Sequence, residues 1–129
     1  MITSQTLQVK LRESDAAGRL YFATPFHWCQ DLCEAFLHEK GFGLHVMFKG
    51  EFQTPIVHAS VDHHAPALLG DLLTVAMMEA KIGGSSVTFQ YEISREGKPI
   101  STVKMIHVCV SVKDQKPIPV PEFLKGFFS

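Results

Sequence analysis

Leu7, Val9 and Leu11 alternate with polar neighbours over residues 5–12, the period-two pattern of a half-buried strand. The period then changes. After the small-residue stretch ESDAAGRL (13–20), Phe26, Cys29, Cys33, Phe36 and Leu37 recur at helical spacing. Thr24 predicts the N-cap and Pro25 the first helical position, while Gly41 and Gly43 stand where a helix should stop. One helix of about four turns is expected.

From residue 55 onward the pattern predicts strands at 55–65, 72–82, 86–94 and 100–112, separated by Ala65-Pro66, Gly70-Asp71, Gly83-Gly84 and the GluGlyLysPro turn at 96–99. Val87, Phe89, Tyr91 and Ile93 fall on one face of their strand. Ile106, Val108, Val110 and Val112 share a face of theirs. The tail, with prolines at 117, 119 and 121, reads as an extended edge or cap. A strand, a long helix and four strands on hairpin-length links imply an antiparallel sheet covering one helix. The expected fold class is α+β, a single domain over residues 1–129. One face of such a sheet would stay uncovered, so self-association is expected.

Composition removes several function classes. Twelve Lys and Arg against 13 Asp and Glu leave a formal charge of −1, which gives no reason to expect a nucleic-acid partner. No apolar run approaches the ~20 residues of a membrane span, and the N-terminus lacks the pattern of a signal peptide. The cysteines, Cys29, Cys33 and Cys109, are odd in number and carry no CxxC spacing. Cys29 and Cys33 share a helix face and read as small buried apolar residues, pointing to a reducing cytoplasm.

Asp15 lies in the turn between the first strand and the helix. Two readings stand side by side: a residue that only shapes the turn, or a carboxylate delivered beside a helix N-terminus whose free N–H groups can receive an oxyanion. The second arrangement suffices for acyl transfer. His58, Asp62 and His64 project to one face of an extended 55–65 segment. They spread over roughly 20 Å at ~3.3 Å per residue, too far for one metal ion, so no metal site is expected. Glu34, on the helix, is either a partly exposed surface carboxylate or an alternative acid.

The string DAAGRLYF (15–22) followed by a helix resembles the active-site segment of the 4-hydroxybenzoyl-CoA thioesterase family, with Asp15, Gly18, Tyr21 and Phe22 matching in order. Residues 54–75 are similar to that family's second and third strands. VHAS (57–60), YEIS (91–94) and HVCV (107–110) look especially like the branch that hydrolyses 1,4-dihydroxy-2-naphthoyl-CoA in quinone biosynthesis. The resemblance implies a hotdog fold, a five- or six-stranded sheet wrapped around the long helix, and an acyl-CoA substrate with no cofactor. It implies Asp15 as nucleophile or general base and the Phe22 N–H as the donor that polarises the thioester carbonyl. Gly18 and Tyr21 would line the substrate, with His63 near it and Gly84, Ser85 and Ser86 along the pantetheine arm. Where some relatives carry a basic cluster, this chain has Gly83 to Ser86, leaving Lys81, Arg95, Lys98 and Lys104 as candidates for the CoA phosphates. The family's site spans two subunits, so a dimer or tetramer is implied. Two other readings remain open: a hydroxyacyl-thioester dehydratase, and an acyl-CoA-binding module without catalysis.

Overall fold

The computed structural model describes residues 1–128. Among them the elements run β1 (Thr3–Gln8), α1 (Thr24–Glu39), α2 (Leu44–Phe48), β2 (Phe52–Gln53), β3 (Ile56–His63), β4 (Leu72–Ile82), β5 (Ser86–Arg95), β6 (Lys98–Val108), β7 (Val110–Ser111) and α3 (Glu122–Phe127). Five strands form one antiparallel sheet in the order β1-β4-β5-β6-β3, and β2 pairs with β7 beside it. The α+β expectation, with a five-stranded antiparallel sheet around one long helix, is what the chain adopts.

The sheet curls around α1 because both present matching apolar faces. Trp28, Cys29, Leu32, Cys33 and Leu37 of α1 are buried in one cluster with Leu73, Val75 and Met77 of β4. Val87, Phe89, Tyr91 and Ile93 of β5 join it, as their alternation predicts. Cys29 and Cys33 are free thiols in this core. Burial pushes the Cys33 thiol up to about 11 and the Cys29 thiol higher, so both stay protonated and serve as packing.

Four expectations change. The first strand ends at Gln8 rather than residue 12: Leu11–Glu13 is a 3-10 turn, and Leu11 is 78% exposed. Its partner β4 begins at Leu72, and Gly70 turns away at φ 95°, so residues beyond Val9 have no ladder to join. The Thr24 hydroxyl does not cap α1; it donates to the Glu13 carbonyl at 3.2 Å, and Ala23 occupies the cap position without a side-chain bond. Ile106, Val108 and Val110 share a face, but the half-exposed one. Ser101, Val103, Met105, His107 and Cys109 turn toward α1 instead, and the ladder breaks at Cys109 to give β6 and β7. The tail is extended only to Pro121, after which α3 buries Leu124 against the core. Five-residue α2 and six-residue α3 are too short to show a helical period.

β5 and β6 are joined by Glu96-Gly97, both at positive φ (50° and 80°), the two-residue hairpin turn that matches strand twist. β3 is an edge strand, paired with β6 on one side and open on the other. Val57 on it is 61% exposed.

Candidate functional site

The segment from Ser14 to Leu20 is a tight hairpin closed by a bridge between those two residues. Its turn is built on Asp15: the backbone carbonyl accepts from Gly18 N–H at 3.0 Å, and the amide donates to the Arg19 carbonyl at 2.8 Å. Gly18, at φ 73°, takes the left-handed conformation that closes this turn. The Asp15 side chain joins in, its Oδ1 accepting from Ala17 N–H at 2.9 Å and Arg19 N–H at 3.1 Å. Among the described residues Oδ2 has no hydrogen-bond partner. Asp15 therefore shapes the turn with one oxygen and keeps the other available.

A strap formed by residues 64–71 holds this hairpin in place. Leu20 N–H donates to the Ala67 carbonyl, Leu69 N–H donates to the Gly18 carbonyl, and Arg19 bridges Leu68. Asp71 locks the strap: its Oδ2 accepts from Leu68 N–H at 2.9 Å and from Arg95 Nη1 at 2.7 Å. The Leu68 N–H bond and then the Arg95 guanidinium hold the Asp71 carboxyl below the usual carboxylate range. A lowered pKa contributes stability above the ordinary carboxylate value, lost as pH falls through the folded value. Asp71→Asn is expected to lower Tm by a few degrees at pH 7, with the gap closing in acid; the pair is partly exposed, so its worth is about 0.5–1 kcal/mol. Thermal melts of both proteins from pH 3 to 7 check this.

Past the hairpin, Tyr21 N–H donates to the Glu13 carbonyl, and Thr24 N–H to the Tyr21 carbonyl. Phe22 and Ala23 N–H groups make no hydrogen bond among the described residues, leaving two donors at the foot of α1. Tyr21 and Phe22, 43% and 62% exposed, pack ring to ring at 4.6 Å. Asp15, Gly18, Tyr21 and Phe22 thus come together, as one local segment must.

The other expected residues lie elsewhere. Gly84, Ser85 and Ser86 form the β4–β5 turn, where the Ser85 carbonyl accepts from Cys109 N–H and the Gly84 carbonyl from Val120 N–H. The strap precedes Leu72 at one end of β4, and this turn follows Ile82 at the other, roughly 30 Å away at ~3.3 Å per residue. One chain therefore does not bring its β4–β5 turn to its own Asp15. His63 ends β3 at the Asp15 end of the sheet and meets Ser101 Oγ at 3.1 Å. Arg95 is engaged by Asp71 and the Pro66 carbonyl.

Between α1, α2 and the ends of β5 and β6, on the Ser86 side, lies a cavity of about 510 Å³. Phe42, Phe48, Phe52, Phe89 and Phe128 give it aromatic walls, and Gln30, Glu34 and His107 bring polar groups to it. Its size falls in the ~300–1,000 Å³ range of small-molecule sites. In the sequence His107 stands out only through the HVCV resemblance, which assigns it no role, and Gln30 carries no signal. They stand 77 positions apart in the chain (30 and 107), so only the folded structure brings them together.

With this geometry in view, the similarities are informative. The model of the thioesterase-like superfamily matches residues 9–128. A 1,4-dihydroxy-2-naphthoyl-CoA hydrolase of Synechococcus elongatus is 30% identical over 121 residues, covering 92% of this chain and 89% of that protein. Another from Synechocystis is 31% identical over 118 residues, covering 89% and 86%. A crystal structure of a 1,4-dihydroxy-2-naphthoyl-CoA thioesterase from Synechocystis superposes with a TM-score of 0.88 at 29% identity, covering 96% of this chain and 93% of that one. The chain belongs to the thioesterase-like superfamily and is a thioester-hydrolysing enzyme with the hotdog fold. Among the described residues no helix is long and apolar enough to cross a membrane.

Proposed function

We propose that the protein hydrolyses an aromatic acyl-CoA thioester to free acid and CoA, with Asp15 as the catalytic carboxylate. The observation that carries this is the Asp15 turn itself. It holds one carboxylate oxygen by two backbone N–H groups, leaves the other open, and stands just before the unbonded Phe22 N–H. Asp15 Oδ2 attacks the thioester carbonyl or takes a proton from the attacking water. The developing oxyanion is received by the Phe22 N–H, the CoA thiolate departs, and water completes hydrolysis. No step requires a cofactor. Gly18 and Tyr21 border the reacting group. 1,4-Dihydroxy-2-naphthoyl-CoA, the substrate in the names of the relatives above, is the first to try, which would make the reaction a step of quinone biosynthesis. Buried, unpaired cysteines are in keeping with a reducing cytoplasm.

The working unit is a dimer or tetramer in which two subunits share each site across a two-fold axis. β3 has an open edge, and two such edges pairing antiparallel extend the sheet. That pairing sets the His63 and Asp15 end of one subunit beside the Ile56 end of its partner. The partner's cavity, and its Gly84, Ser85 and Ser86, then face the Asp15 that one chain alone keeps distant from them.

A thioester panel read with a free-thiol reagent tests the function. Thiol release is expected, with aromatic acyl-CoA giving a higher kcat/KM than medium-chain alkanoyl-CoA. A much higher value for the alkanoyl substrate would remove the aromatic assignment and leave the thioesterase. Water loss from a hydroxyacyl thioester, or binding without turnover, would support the two other readings of the sequence.

A further inference from the structure

The cavity beside α1 carries polar atoms that the protein itself leaves without partners. His107 is 93% buried, its ring edge-on to Phe89 at 5.2 Å. Its Nδ1 lies 3.0 Å from the Thr54 carbonyl, which only accepts, so Nδ1 carries the proton. Nε2 is then a bare acceptor, buried and without a hydrogen-bond partner among the described residues. Burial also pushes the His107 pKa down, against the opposing pull of the Thr54 carbonyl, which keeps the ring neutral and Nε2 unprotonated near pH 7. Gln30 Oε1, on the same cavity wall, is a second buried acceptor without a partner. Glu34 adds a carboxylate to the wall. Buried polar groups left unpaired are costly, and native proteins keep few of them. An enclosure with aromatic walls and orphaned acceptors is built to receive an aromatic group that carries hydrogen-bond donors.

We propose that this cavity holds the acyl ring, and that His107 Nε2 and Gln30 Oε1 select hydroxylated aromatic acyl groups by accepting hydrogen bonds from ring hydroxyls. The inference rests on the thioesterase reading for its reaction, and it assigns specificity to two residues outside the Asp15 hairpin. The exposed apolar rim, Leu44, Phe48 and Ile56, opens the cavity on the β3 side, where the pairing proposed above would bring the partner's Asp15. A ring seated in one subunit would present its thioester to the partner's Asp15.

The test separates recognition from catalysis by measuring binding of free acids. Titration calorimetry compares 1,4-dihydroxy-2-naphthoate, kept reduced, with 2-naphthoate on the wild type and on His107→Phe and Gln30→Met. The wild type is expected to bind the dihydroxy acid roughly tenfold or more tightly, as a hydrogen bond to a buried acceptor allows, and each variant should erase most of that ratio. The second variant keeps the test sharp if His107→Phe does not fold, because Gln30 sits on a helix that tolerates Met. Equal binding of the two acids by the wild type, or a ratio unchanged in folded variants, overturns the assignment. Failure of the thioesterase reading looks different: no thiol is released from any acyl-CoA, whatever the binding ratio. With the reaction intact, the ratio of kcat/KM for 4-hydroxybenzoyl-CoA over benzoyl-CoA should fall in the same variants; an unchanged ratio counts against the proposal.

Discussion

Asp15→Asn is expected to yield a folded, substrate-binding protein whose kcat is lower by ~10²–10⁴-fold, the usual worth of a general base. Asparagine keeps an oxygen at Oδ1, so the bonds from Ala17 and Arg19 N–H survive and the hairpin with its Gly18 turn should form. The change falls on the other position, where an uncharged amide replaces the open carboxylate oxygen. Neither attack on the carbonyl nor deprotonation of water is then available. If Asp15 is the nucleophile the loss is larger still. Tm and substrate KM should stay near wild-type values, which separates lost chemistry from lost structure. A variant that kept more than about a tenth of wild-type kcat would miss even the low end of that range and move the catalytic group elsewhere. Glu34, on the cavity wall, would be the next carboxylate to replace.

The second large effect is expected from a residue that touches no substrate. If the proposed dimer or tetramer forms through this edge, Ala59→Pro should yield a monomer of 14.4 kDa and lower kcat/KM by about 10²-fold or more, since the proposed shared site would lose half its groups. Antiparallel ladders alternate the residues that bond inward and outward. His64 N–H donates to the Ile100 carbonyl, so with the observed register His64, Asp62 and Ser60 bond toward β6, and His63, Val61 and Ala59 point their N–H and C=O to the open edge. Proline at 59 removes one edge donor without breaking a bond inside the subunit, and prolines are tolerated on edges. Sedimentation velocity at micromolar concentration, with circular dichroism to confirm folding, reads the outcome. A folded monomer with full activity would show that each chain works alone and would end the shared-site proposal. Ser60→Pro is the contrast: it cuts an inward bond and should destabilise the fold itself.

Much of this was legible along the chain. β4 spans the expected 72–82, because β-rich residues between Gly70-Asp71 and Gly83-Gly84 leave little freedom in its ends. α1 begins at Thr24 and ends at Glu39, between a proline at its start and Gly41 after it. The Asp15 hairpin was visible as a motif because everything in it lies within eight residues. The less visible features have local causes too. Leu11 fits the alternation of β1 and still turns outward, since a strand lasts only as long as its neighbour. β6 carries apolar residues on both faces, so its pattern does not say that Met105 and His107 turn inward while Ile106 and Val108 do not.

The sequence by itself determined what depends on neighbours a few residues away. Periods of 2 and 3.6 set the strands and the long helix, glycines set the turns, and the Asp15 segment joined a carboxylate to a helix start. Only the tertiary structure decided which groups share a space. It put Gly84, Ser85 and Ser86 at the end of the sheet away from Asp15, engaged Arg95 with Asp71, and left β3 with an open edge. It also brought Gln30 of α1 and His107 of β6 to one aromatic cavity with two acceptors unpaired. The physical reason is range: dihedral preference and amphipathic period act over one or two turns of chain, whereas the groupings that define the site join residues from 24 positions apart (Asp71 and Arg95) to 77 apart (Gln30 and His107), which no local pattern encodes.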